Sequence, residues 1–207
     1  MQILLVIFEM LGTVAFAVSG AFVGIHKKMD LFGIAVLGMT TAVGGGIIRD
    51  VLLGVTPPAS LCNPVYALVA LACALITFLP AVRRLITHRQ KLYDVILLVL
   101  DSVGLGVFSV VGVRAAFAAG FGDNLFLQVF VGAMTGVGGG VLRDVMADCT
   151  PYVFSKHIYA CASIAGALVC AVLWRFLGEL PSMILGALLT FILRLLAAKF
   201  RWSLPKA

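Results

Sequence analysis

Seven apolar stretches, each about twenty residues long, fill almost all of this 207-residue chain. They fall at about 3–25, 32–54, 63–81, 93–115, 124–147, 157–178 and 181–200. About twenty apolar residues wound as an α-helix cross the hydrocarbon core of a bilayer. A helix also satisfies its own backbone hydrogen bonds there, where no water does so. Barrel strands need only about 9–11 residues and alternate in polarity; these stretches are longer and do not alternate. The composition agrees, at 62% hydrophobic and 12% charged residues, with a mean hydropathy of +1.15. A soluble domain of this size has too much surface to hide that apolar content. The expected fold is therefore all-α: a single transmembrane domain over residues 1–207 with seven transmembrane helices and no separate soluble domain. Pro57-Pro58, Gly122-Asp123-Asn124, Pro151 and Pro181 supply breakers between spans. Ala15-Phe16-Ala17 has the look of a cleavage site, but no Lys or Arg precedes it and Glu9 interrupts the apolar run. The segment is read as the first span.

The basic charges are distributed by side. With the N-terminus outside, the inner segments hold eleven Lys and Arg: Lys27, Lys28, Arg83, Arg84, Arg89, Lys91, Lys156, Arg194, Lys199, Arg201 and Lys206. The outer segments hold two, Arg114 and Arg175, while Arg49 and Arg143 lie within spans. The positive-inside rule then places the N-terminus outside and the C-terminus in the cytoplasm, with Trp202 as an interfacial anchor. This also accounts for the net charge of +6 without nucleic acid as a partner. The five cysteines, Cys62, Cys73, Cys149, Cys161 and Cys170, are unclustered and suggest neither a disulfide framework nor a zinc site. His26, His88 and His157 lack metal-ligand spacing. No cofactor is expected, and no phosphate loop, nucleophile elbow or hydrolytic carboxylate pair suggests an enzyme.

The chain also repeats itself. The segment from Gly38 to Val51 aligns with that from Gly132 to Val145 at an offset of 94, and both contain Gly-Gly-Gly-x-x-Arg-Asp. At an offset of 92, Gly12, Phe16 and Gly20 meet Gly104, Phe108 and Gly112, and Glu9 meets Asp101. Tyr66-Ala67 and Tyr159-Ala160 link the third spans. Three spans per half is an odd number, so the second half runs through the membrane inverted. The expected organisation is a 3+3 inverted repeat, about 1–82 and 93–178, with a seventh helix at about 181–200 outside it.

Each glycine in Gly44–Gly46 and Gly138–Gly140 weakens its helix by about 1 kcal/mol relative to Ala. The second and fifth spans are expected to be kinked there, with carbonyls freed toward a polar path. Close helix packing is the competing role for such small residues. Arg49 and Asp50 fall toward the outer end of the second span, and Arg143 and Asp144 toward the inner end of the fifth. Charges at membrane depth mark an ion or substrate path, or lock helices together. Neighbouring Arg and Asp point about 100° apart on a helix, so the expected partners are Glu9 with Arg49 and Asp101 with Arg143. Thr41 and Thr135 offer hydroxyls beside the glycines, whereas Ser19 and Ser109 are expected to bond their own helix backbone.

The doubled glycine motif within seven spans resembles bacterial members of the trimeric intracellular cation (TRIC) channel family, along nearly the whole chain. The resemblance implies a homotrimer with one pore per protomer, between the second and fifth spans, passing monovalent cations such as potassium and sodium. Gly44–Gly46 and Gly138–Gly140 match the family's kinks, and Arg49 and Arg143 its charged positions. Animal members carry Lys-Glu-Val, tied to a phosphoinositide, where this chain has Arg49-Asp50-Val51. Lipid gating is therefore not carried over, and membrane lipid is expected only as surroundings. The implied location is the bacterial inner membrane. Bacterial relatives have also been linked to glycine uptake, so a small-amino-acid transporter on the same pathway is the alternative, holding a zwitterion between an arginine and an acid.

Overall fold

The computed structural model describes residues 2–80, 82, 90–155 and 158–202. The helices are α1 (Gln2–His26), α2 (Leu31–Leu52), α3 (Ala59–Cys62), α4 (Val65–Phe78), α5 (Gln90–Ala118), α6 (Leu125–Met146), α7 (Tyr152–Ser155), α8 (Tyr159–Leu177) and α9 (Glu179–Lys199). Six of them, α1, α2, α5, α6, α8 and α9, are long and apolar enough to cross a membrane; α4 is apolar but has only 14 residues. It stops short of the expected 81 because Leu79, next to Pro80, takes an extended ψ of 141°. A proline ring disfavours the helical region in the residue before it. Arg83, Arg84, Arg89, Lys156, Lys206, His88 and His157 lie outside the described residues.

Matched local chemistry starts and stops the two glycine helices. Asp30 caps α2 by accepting from the Gly33 amide at 2.7 Å, and Asn124 caps α6 by accepting from the Leu127 amide at 3.0 Å. At the far ends, the Leu53 amide bonds the Arg49 carbonyl and the Ala147 amide bonds the Arg143 carbonyl. Gly54 and Asp148 then turn left-handed, with φ of 72° and 50°. That turn lets Val55 and Cys149 bond back to the carbonyls of Asp50 and Asp144.

The two halves pack through glycine. Gly12 sits against Val107 and Phe108 while Gly104 sits against Phe16, so α1 and α5 cross antiparallel, with the Phe16 and Phe108 rings 5.3 Å apart. A methyl group at Gly20 would stand 2.6 Å from the Thr41 hydroxyl, and one at Gly112 would stand 2.5 Å from the Thr135 hydroxyl. Helices α2 and α6 also cross antiparallel. A side chain at Gly45 would overlap the Thr135 carbonyl, and one at Gly139 the Thr41 carbonyl. Both triplets lie inside uninterrupted helix. The expected broken backbone is absent: the carbonyls stay in the helical ladder, and the missing side chains let two backbones touch.

Candidate functional site

Two charged clusters sit at opposite ends of the α2–α6 pair. In the first, Arg49 Nε donates to Asp50 Oδ1 at 2.8 Å, and Asp50 Oδ2 accepts from the Ala59 amide at 2.8 Å. Glu9 accepts from the Tyr66 hydroxyl and lies 3.8 Å from Arg114 Nη1. Arg114 Nε in turn donates to Glu179 Oε1 at 2.7 Å. Thr13, Gly46, Ser60 and Tyr66 join Glu9 and Arg49 around a cavity of about 130 Å³. A wider recess of about 340 Å³ shares Glu9 and Arg49 and is edged by Asp50 and Arg114. Gly46 differs from its neighbours in the triplet: a methyl group there would meet only Arg49 Nη2, at 3.8 Å.

The second cluster is sealed. Arg143 Nη1 donates to Asp101 Oδ1 at 2.6 Å and to Ser19 Oγ, and Arg143 Nε donates to Asp144 Oδ1 at 2.8 Å. Asp144 Oδ2 accepts from the Tyr152 amide at 2.9 Å. The Arg143 and Asp101 side chains are 0% exposed, against 15% for Arg49 and 22% for Glu9. The Arg143 guanidinium also lies 5.4 Å from the Tyr152 ring centre. Arg143 Nη2 is buried without a hydrogen-bond partner among the described residues, and the Tyr159 hydroxyl lies beside the Asp101 carboxylate. A network left partly unsatisfied in a low dielectric is held together at a cost.

The expected Asp101–Arg143 pair is present; the expected Glu9–Arg49 pair is not. Antiparallel crossing puts Glu9 level with the end of α5 that carries Arg114, so Glu9 takes Arg114 and Tyr66 instead. The adjacent pairs Arg49–Asp50 and Arg143–Asp144, which the helical geometry did not require, also form. Each aspartate is fixed by an amide of the following segment, which holds its other oxygen where the long arginine chain reaches back. The Thr41 and Thr135 hydroxyls have no exposed surface and donate to their own helices, to the Leu37 and Val131 carbonyls, both at 2.6 Å. Ser109 does bond its own helix, at Leu105, but Ser19 instead receives Arg143. Gly104, Gly106 and Gly112 of α5 are filled within the chain by Phe16, Ala187 and Thr135. Sequence reasoning missed Tyr66, Tyr159, Arg114 and Arg194. The repeated Tyr-Ala pair was the signal for the tyrosines. Arg194 had the weaker signal of a charge inside the last apolar stretch.

A family model described as "Glycine transporter" matches residues 6–81 and 98–175. The UPF0126 inner membrane protein YadS of Escherichia coli K12 is 38% identical over 200 residues, spanning 95% of this chain and 93% of its own. UPF0126 membrane protein YvgT of Bacillus subtilis is 33% identical, spanning 96% and 94%. A TRIC cation channel structure solved for the basis of conductance is 40% identical with a TM-score of 0.84, covering 97% of this chain and 96% of that one. A prokaryotic TRIC channel in 0.5 M KCl is 31% identical with a TM-score of 0.89, covering 99% and 100%. With matches along almost its whole length, the chain belongs to the TRIC family, and it is similar along that length to bacterial proteins called UPF0126 membrane proteins.

Proposed function

We propose that this protein is a passive channel for monovalent cations such as potassium and sodium in the bacterial inner membrane. It works as a homotrimer surrounded by lipid, with one path through each protomer. The observation that carries the reading is the pair of matched charged clusters at opposite ends of α2 and α6, one opening into a cavity and the other closed by Arg143. The likeness to TRIC cation channels supports it. Seven spans arranged as a 3+3 inverted repeat, with α1, α2 and α4 related to α5, α6 and α8 and with α9 outside, fit the antiparallel glycine contacts.

In this reading a cation enters at Glu9, Gly46, Arg49 and Asp50. Three carboxylates, Glu9, Asp50 and Glu179, face two guanidiniums, Arg49 and Arg114. The two acids and two arginines that line the recess balance, and Glu179, pairing with Arg114 from α9 behind it, tips the local field toward cations despite the arginines. The way onward follows the seam where Gly44, Gly45, Gly138 and Gly139 pack with Thr41 and Thr135. It ends at Gly140, Asp101, Arg143 and Asp144. Three consecutive glycines make each helix easy to bend, and we place the moving hinge there. Conduction requires the Arg143–Asp101 contact to yield.

Purified protein in potassium-loaded liposomes tests this. Potassium current without added glycine is the expected result, and saturable glycine uptake without cation current overturns it in favour of a transporter. Cross-linking in native membranes is expected to end at trimers; ending at dimers removes the trimer.

A further inference from the structure

Arg194 lies outside both repeats and takes no part in the path above, yet it is only 1% exposed. A guanidinium buried that deeply in a membrane protein calls for a partner and a purpose. Its guanidinium carbon stands 4.7 Å over the Tyr159 ring centre. Tyr159 in turn meets Tyr152 edge-on, with ring centres 6.5 Å apart, and Tyr152 lies under Arg143. The order is thus Arg143, Tyr152, Tyr159, Arg194: two aromatic rings between two guanidiniums. The Tyr159 hydroxyl closes over Gly140, where an added methyl group would stand 2.8 Å from that hydroxyl and 3.7 Å from Asp101 Oδ1. Thr190, one turn before Arg194, packs against α8, its hydroxyl 3.0 Å from the Gly186 carbonyl of its own helix and 3.3 Å from the Ala162 carbonyl of α8. At the other end of the same helix, Glu179 bonds Arg114 beside Glu9. Fifteen residues of α9, about 22 Å of helix, therefore connect the two clusters.

We propose that Arg194 is a positioning residue for the closed end. By gripping the Tyr159 ring it holds the phenol against Gly140 and Asp101, and so sets how readily Arg143 leaves Asp101. The seventh helix becomes the element through which the sealed end is regulated. The proposal rests on the channel reading.

Single-channel recording in planar bilayers tests it, with potassium as the permeant ion and wild type, R194Q, R194K, Y159L and the double variant R194Q/Y159L compared. R194Q should raise the open-to-closed ratio about tenfold, the order expected on losing a desolvated cation–aromatic contact. Unit conductance and the potassium-to-sodium preference should stay unchanged. R194K, which keeps the charge, should fall between R194Q and wild type. In open-to-closed ratio alone, Y159L should match R194Q and the double variant should add nothing further, because the two residues act as one unit. An unmoved ratio in R194Q, additive effects in the double variant, or a changed unit conductance would each overturn the proposal. If R194Q fails to assemble, R194K carries the test, and an unmoved ratio there overturns it equally. A wild type that passes no cations sinks the channel reading and this inference with it; current in wild type with an unmoved R194Q sinks only the inference.

Discussion

Gly45 and Gly46 are neighbours in one triplet with opposite freedom. A methyl group at Gly45 would run into the Thr135 carbonyl, whereas Gly46 faces the cavity with Arg49 Nη2 at 3.8 Å. Gly45→Ala and Gly139→Ala should therefore lower thermal stability in detergent by about 1–3 kcal/mol, as overpacking does. Gly46→Ala should leave stability unchanged or improve it by up to about 1 kcal/mol through helix propensity, while narrowing the cavity and reducing flux. A pair of melting curves with flux measurements separates the cases. The acids divide in the same way. Asp101→Asn strips the fully buried Arg143 of one counter-charge and should cost about 3–5 kcal/mol. Glu9→Gln removes a part-exposed acid whose ion pair is worth at most about 1 kcal/mol, so it should lower cation conductance with little change in melting.

At the scale of elements, α9 is joined to α5 by Arg114 and Glu179, 2.7 Å apart. Exchanging the two residues should restore stability lost in either single variant, with a coupling of up to about 1 kcal/mol for a part-exposed pair. A double-mutant cycle of melting temperatures reads that coupling, and purely additive losses would show that the contact holds nothing. Six of the seven expected spans were legible in the sequence, since apolar length is a one-dimensional property and Pro, Gly and Asp punctuate it. The end of α4 fell three residues short because of Pro80, and both ends of α5 ran three residues past the expected 93–115. The acid in the first helix of each half was legible from the repeat. Its partner was legible in the second half, where Asp101 takes Arg143, but not in the first. Glu9 meets Arg114 only because α1 and α5 cross antiparallel at Phe16 and Phe108, and side-chain reach across a crossing is a property of three dimensions. The glycine triplets were legible as special but not in their role, because packing and breaking call for the same small residue.

For the whole molecule, orientation decides what the asymmetry means. If the N-terminus is outside, the cavity at Glu9 and Arg49 opens outward and the sealed cluster at Arg143 faces the cytoplasm. Two contacts agree with alternating spans. Lys27 reaches the Asp148 carbonyl at 3.0 Å, joining the loop after α1 to the loop after α6. Arg175 bonds Asp123 at 2.9 Å, joining the end of α8 to the segment before α6. These contacts fix which loops share a side but not which side that is; the Lys and Arg bias chooses it. Native cysteines provide the test. Cys62 is exposed after α2, on the side of the Glu9 cavity, and Cys149 follows α6 on the side of Arg143. In spheroplasts treated with a membrane-impermeant maleimide, a variant retaining only Cys62 should be labelled, and one retaining only Cys149 should need permeabilisation. The reverse pattern would turn the molecule over, and would make Arg143 the barrier on the outside face.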